Sequence, residues 1–270
     1  MRIVVPTDFS QLSKIAVRYA ISFAHQTGSQ IILIHFLPPL GPSLGTASTD
    51  ELKKEMAEEA EMKMQELLEE LQEKEIIMEP QYAYGVSLED ELQTFITTHN
   101  IDLVIMGSKG ASGLKKVILG SSTVSVINHC SVPIIIVPEC AVIGKIEYLV
   151  YASDFKNLRA EVARVIPYAR YLNVAIKIIH VQQPNDPTQS ETDNLIAEIK
   201  QEFDFDRIQW ETLNGKNVVQ SIEAFTEVQE AELLIMFTHA TNFLEQLFSK
   251  SFTREVAWRS TTPMLVINNR

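Results

Sequence analysis

The segment LVIMGSKG, Leu103–Gly110, returns 130 residues later as LLIMFTHA, Leu233–Ala240, and this internal repeat constrains the fold more than any other feature. The offset holds without a gap over a long span. It pairs Gly85 with Gly215, Phe95 with Phe225, Ser121 with Ser251, Thr123 with Thr253 and Pro133 with Pro263. Upstream it widens, to 146 for Asp8-Phe9 against Asp154-Phe155 and to 145 for His35 against His180. The first copy therefore carries an insertion of about fifteen residues between its second and third strands. The expected domains are 1–140 and 145–270, with the boundary near Ala141–Lys145, and each has an ordinary domain size.

Within each copy, strand and helix alternate. Ile3–Val5 is a short β-branched run, and Ile15, Ala16, Tyr19, Ala20 and Phe23 recur at helical spacing after it. Ile31–Leu37 is almost continuously apolar, as a parallel strand covered on both faces must be. PPLGPSLGTAS follows as a loop. Ser48, three residues before Glu51, then opens a predicted helix with a capping box. That helix runs from Thr49 to about Lys74, with Leu52, Met56, Ala60, Met64, Leu67 and Leu71 on one stripe. An amphipathic packing helix with a solvated acidic side explains the pattern, and a partner-binding face is the sharper alternative. The third strand is expected at Ile76–Tyr84, a helix at Leu88–His99 and the fourth strand at Leu103–Met106. A helix at Ser121–His129 and a fifth strand at Ile134–Val137 close the copy. The second copy repeats the order, with its second helix shortened to about Ser190–Glu202. Five strands joined by right-handed helical crossovers give an α/β fold: two tandem, doubly wound, five-stranded parallel sheets.

Composition removes several classes of function. A net charge of −12, with no basic run longer than Lys115-Lys116, argues against a phosphate-tracking nucleic-acid surface. No apolar stretch approaches the length of a membrane span, and MRIVVPTDFS has no signal-peptide pattern, so the expected location is cytoplasmic. Cys130 and Cys140 flank a predicted strand that would hold them roughly 20 Å apart, so both are expected as free thiols. The six histidines form no metal-ligand spacing.

In open α/β sheets, ligands bind beyond the carboxyl ends of the strands, where strand order reverses. Pro6-Thr7-Asp8, His35-Phe36 and the stretch from Gly107 onward all end there in the first copy. Gly107 and Gly110 are followed, after nine residues, by Gly120-Ser121-Ser122 at a predicted helix start. Glycines admit a close anion, and a helix amino end offers N–H groups and hydroxyls to it. The pattern is neither a Walker A loop nor G-x-G-x-x-G. A phosphate cradle is one reading, and tight helix–sheet packing is the other. The second copy tilts the choice, because Phe237, Ala240, Lys250 and Phe252 stand where the first has Gly107, Gly110, Gly120 and Ser122. Packing alone then explains the glycines poorly, and Phe237 is expected to fill the space a ligand needs.

Through VPTDFS (Val5–Ser10), MGSKGASGLKKVILGSSTVSVI (Met106–Ile127) and CSVPIIIVP (Cys130–Pro138), the chain resembles a tandem universal stress protein along essentially its whole length. The resemblance implies the Rossmann-like fold related to the adenine nucleotide alpha hydrolases. It also implies a first domain of the ATP-binding type and a second domain with a degenerate motif. Carried over position by position, Gly107, Gly110, Gly120, Ser121 and Ser122 would contact phosphate or ribose, with Met106 alongside. Asp8, with Pro6 and Thr7, would lie near ribose and adenine, and the main chain at Phe36 would meet the adenine edge. The implied ligand is ATP, with ADP or AMP in its place and Mg²⁺ as a further candidate. The implied assembly is dimeric, and in a tandem chain Ile134–Val137 and Met264–Ile267 are expected to pair as an intramolecular pseudo-dimer. Ser121 and Ser122 have no adjacent base, and no arginine is placed as a transition-state clamp. The expected function is therefore a stress-response protein for which ATP is a ligand, with at most slow hydrolysis. A nucleotide-independent scaffold and a slow ATPase are the alternatives. His35 and His180, at matching strand ends, are expected to bond to backbone, with a pH or ligand switch as the sharper alternative.

Overall fold

A computed structural model of the chain describes residues 1–39, 49–71, 75–108, 121–184, 186–238 and 261–268. The chain divides into two compact units, Met1–Glu139 and Cys140–Asn269. The first contains β1 (Arg2–Pro6), α1 (Gln11–Thr27), β2 (Gln30–Leu37), α2 (Thr49–Leu71), β3 (Met78–Tyr84), α3 (Leu88–His99), β4 (Leu103–Gly107), α4 (Ser121–His129) and β5 (Ile134–Val137). Its strands lie in the order β3-β2-β1-β4-β5, and all the recorded pairings are parallel.

Burial explains the sequence pattern. Ile3, Val4 and Val5 of β1, Ile31–Ile34 of β2 and Leu103–Ile105 of β4 are all buried, because helices cover both faces of these inner strands. β3, at the edge, is only partly buried and begins at Met78 rather than Ile76. Its Pro80 can be tolerated there because an edge strand has one side without a ladder.

The Ser10 hydroxyl caps α1 by accepting the Ser13 N–H at 3.3 Å. Gly28, at φ 68°, ends α1 in the left-handed conformation that glycine adopts without steric cost. α1 lies across β1, β2, β4 and β5. Glu70 of α2 pairs with Lys14 and Arg18 of α1, the latter at 2.8 Å. Ala60, Met64 and Leu67 of α2 are buried, and most of its charged residues are exposed, so the stripe serves packing. The predicted cap at Ser48 and the predicted helix end at Lys74 lie outside the described residues. α3 packs on α4, where the Ser125 hydroxyl donates to Glu89 at 2.8 Å.

The second unit contains β6 (Tyr148–Ala152), α5 (Leu158–Leu172), β7 (Ala175–Val181), α6 (Gln189–Glu202), β8 (Ile208–Leu213), α7 (Val218–Val228), β9 (Leu234–Phe237) and β10 (Met264–Ile267). Its order, β8-β7-β6-β9-β10, repeats the first. Arg159 of α5 binds Glu198 and Glu202 of α6, the former at 2.6 Å. α6 opens with a full capping box between Thr188 and Glu191. Cys130 is buried and Cys140 exposed, and neither is in a disulfide. No described helix is long and apolar enough to cross a membrane.

Candidate functional site

In the first unit the strand order reverses between β1 and β4, which are adjacent through Ile3–Leu103 and Val4–Val104. Their carboxyl ends release Thr7-Asp8 and Ser108 at one edge of the sheet, the position at which open α/β sheets bind ligands. Pro6 is half-buried, Thr7 buried and Asp8 exposed. Phe36 lies two residues past the last rung that β2 shares with β1, Ile34 opposite Pro6, so its main chain runs on beyond the end of β1. Met106 is buried. Ser121 and Ser122 are exposed at the amino end of α4. The buried Thr123 hydroxyl reaches the carbonyls of Gly107 and Ser108, at 3.3 Å each, and fastens α4 to the end of β4. Gly110 and Gly120 lie outside the described residues.

Two of the sequence expectations need correction. A Cβ added at Gly107 would stand 2.8 Å from Leu12 Cγ and 3.3 Å from its Cδ2. α1 approaches β4 so closely that a side chain at 107 would force Leu12 to shift, so helix packing by itself favours glycine here. The other correction concerns its counterpart, Phe237. Strand residues alternate between faces, and the Phe237 ring turns toward α5. It lies under the Arg164 guanidinium at 5.4 Å and edge-on to Tyr151 at 5.6 Å. It therefore does not fill the ligand space of its unit. A cavity of about 520 Å³ remains beyond β6 and β7, lined on one side by Met236, the neighbour of Phe237.

The turns after β1 and β6 share a feature that the sequence did not disclose. Phe9 and Phe155 both adopt positive φ, 61° and 63°. This conformation costs a non-glycine residue of order 1–3 kcal/mol unless its surroundings hold it. Thr7 Oγ1 takes the Phe9 N–H at 3.1 Å and Asp8 Oδ1 the Ser10 N–H at 3.0 Å. Ser153 and Asp154 do the same for Phe155 and Lys156, at 3.1 Å each. One outcome is that each Phe ring lies on a histidine, at 4.5 Å for Phe9–His35 and 4.2 Å for Phe155–His180. Another is that Asp8 has a structural use in starting α1. The repetition of Asp-Phe in both copies was the available signal.

Both histidines hydrogen-bond through Nδ1 to the strand-end backbone, His35 to Thr7 O and His180 to Ser153 O, each at 2.8 Å. A carbonyl only accepts, so Nδ1 donates in both. His180 has a second partner, Asp186 Oδ2, 2.6 Å from Nε2. Burial pushes the Asp186 carboxyl up, but hydrogen bonds from His180 and the Gln183 N–H hold it below the ordinary carboxylate value. Nothing in PNDPTQS marks Asp186 as the partner of a histidine six residues earlier.

The profile of the universal stress protein family matches residues 1–138 and again 151–268. The chain belongs to the universal stress protein family. Universal stress protein MJ0577 of Methanocaldococcus jannaschii is 29% identical over 152 residues, covering 50% of this chain and 93% of that protein. A universal stress protein of Mycolicibacterium smegmatis is 22% identical over 300 residues, covering 99% of this chain and 97% of its own length. The crystal structure of a universal stress protein from Archaeoglobus fulgidus superposes with a TM-score of 0.69 at 19% identity, covering 100% of this chain and 98% of that one. It shows the fold: two Rossmann-like universal stress protein domains in one chain.

Proposed function

We propose that this universal stress protein holds an adenine nucleotide in its first unit as a ligand whose occupancy, rather than turnover, is the signal. ATP is the expected species, with ADP or AMP in its place. The domains of this reading are 1–140, with the intact glycine motif, and 145–270, with the degenerate one. One observation carries the proposal. Thr123 binds the amino end of α4 to the carbonyls of Gly107 and Ser108, beside the carboxyl end of β1. A helix amino end with two exposed hydroxyls, fixed at the reversal of strand order, suits an anion.

Gly110 and Gly120 would supply backbone N–H groups to the phosphates. Asp8, Pro6, Thr7 and the Phe36 main chain would lie toward ribose and base. The correction at Gly107 shifts weight within this set, because packing against Leu12 already favours a glycine there. Gly120, Ser121 and Ser122 then bear most of the phosphate assignment. No residue of the set is given a catalytic role. Asp8 Oδ1 is engaged by Ser10 N–H, which leaves it poorly suited to act as a base.

Titration calorimetry tests the reading. We expect about one ATP per chain, lost in Gly120→Val and weakened in Ser121→Ala and Ser122→Ala. Two equivalents per chain would refute the asymmetry between the units. Absence of binding by the wild type would favour a nucleotide-independent scaffold.

A further inference from the structure

We infer that the second unit is itself a binding site, for a neutral and largely apolar small molecule that carries no phosphate. This goes beyond the nucleotide reading of the first unit and does not depend on it. The cavity of about 520 Å³ beyond β6 and β7 falls in the range that holds drug-sized ligands. Its apolar wall comes from Ile179, Val181, Val218, Ile222 and Met236, with the Phe155 ring beside them.

The repeat shows how the wall differs between the copies. At four wall positions the second unit carries a smaller residue than its counterpart in the first: Ala152 against Pro6, Ser153 against Thr7, Val181 against Phe36 and Val218 against Leu88. At two it carries a larger one, Lys156 against Ser10 and Gln183 against Pro38. Phe237, which adds bulk at this strand end, has its ring turned to the other face under Arg164.

The polar groups of the wall set the charge of the ligand, because each is already matched within the protein. Lys156 Nζ lies 3.1 Å from Asp154 Oδ2. His180, almost fully buried, places Nε2 2.6 Å from Asp186 Oδ2 and Nδ1 2.8 Å from Ser153 O. Ser153 Oγ accepts from Phe155 N–H and lies within hydrogen-bonding distance of the Tyr151 hydroxyl, at 3.1 Å each, and Gln183 Nε2 reaches Val181 O at 3.4 Å. A charged ligand that broke the buried Asp186–His180 pair would leave one member uncompensated, whereas a neutral ligand leaves that pair intact. The Asp154–Lys156 pair is exposed to solvent and adds little to this preference. The sequence of this copy also lacks the glycines of the first, with none from Phe237 to Phe252 where the first copy has four from Gly107 to Ser122.

The test uses two probes of similar shape and different charge: neutral N-phenyl-1-naphthylamine and anionic 1-anilinonaphthalene-8-sulfonate, both fluorescent in apolar surroundings. On the full chain, the neutral probe should saturate at one equivalent and bind at least tenfold more tightly than the anionic one. Val218→Trp, at a half-buried wall position, should weaken it at least tenfold, and so should Ile222→Phe. Circular dichroism and thermal melts show that each variant has folded. Saturating ATP should leave the titration unchanged. No saturable binding, equal or tighter binding of the anionic probe, or indifference to both substitutions would each overturn the inference. One-for-one displacement by ATP would overturn it too, by making the cavity a second nucleotide site. A chain that binds the neutral probe but no ATP would refute the nucleotide reading and leave this one standing.

Discussion

Gly107→Ala separates the two roles that a glycine at the end of β4 can have. The added methyl carbon would lie 2.8 Å from Leu12 Cγ, 3.3 Å from Cδ2 and 3.4 Å from the Leu12 carbonyl oxygen. Carbon pairs are most favourable at about 3.5–4.0 Å, so Leu12 must yield by roughly 0.7 Å or more. Leu12 is half-buried at the start of α1 and has some freedom, but Cγ is not the far end of its side chain. Helical backbone leaves it few alternative rotamers. Overpacking of this degree costs about 1–2 kcal/mol, which for a domain of this size lowers Tm by roughly 3–8 °C. The transition can be assigned to its unit because both tryptophans, Trp210 and Trp258, lie in the second copy. Far-UV circular dichroism should show the shift while tryptophan fluorescence does not. In the Leu12→Ala background the added penalty of Gly107→Ala should largely vanish, a coupling of about 1–2 kcal/mol. An unchanged melt without ligand, combined with loss of ATP-dependent stabilisation, would refute the packing account and return Gly107 to the phosphate site.

Phe237→Ala should lower the tryptophan-reported melt of the second unit by about 8 °C or more, since emptying a buried Phe site costs about 3–4 kcal/mol; a shift below about 2 °C would show that the ring under Arg164 is not packed. Asp186 has a native carboxyl held below its ordinary value, so its contribution is present above the unfolded-state pKa and is lost as pH falls through the native one. Between pH 6 and pH 3 the wild type should therefore lose more stability than Asp186→Asn, and equal losses would refute the pairing with His180. The Cys130 thiol is buried and pushed up to about 12, by desolvation first and by the Glu89 carboxylate second. A thiol reagent at pH 8 should accordingly titrate one cysteine, Cys140, in the native chain and two in guanidinium chloride; rapid reaction of both in the native chain would contradict that burial.

The architecture was legible because burial on both faces forces continuous apolar runs at Ile31–Leu37 and Leu103–Met106. Among the described residues, the repeat then supplied all five strands and the first three helices twice. Edges were less legible, as β3 shows. Ile76 and Ile77 continue its apolar character, yet pairing with β2 begins with Ile31 opposite Met78. The site was read less accurately than the fold for one physical reason. A gapless offset aligns Gly107 with Phe237 along the strand but does not say what lies over either face. That depends on a helix placed elsewhere in the chain, Leu12 on α1 in the first unit and Arg164 on α5 in the second. The same limit applies to Asp186. Its role follows from a turn that brings Gln183 N–H and His180 Nε2 to one carboxylate, and such a turn leaves no periodic trace.

The divergence of the two copies is coordinated rather than a simple decay of one motif. Where the first unit has Val5, Ile15 and Gly107, the second has Tyr151, Glu161 and Phe237. All three replacements are buried and linked: the Tyr151 hydroxyl donates to Glu161 and its ring meets the edge of Phe237. Drift at a discarded phosphate site would not be expected to install a buried carboxylate with its own donor, because an unmatched one is among the costliest defects a core can carry. The face toward α5 was rebuilt, and on the opposite face a cavity persists with its charges internally paired. That combination fits a unit retained for a different ligand better than it fits an inert remnant of the first.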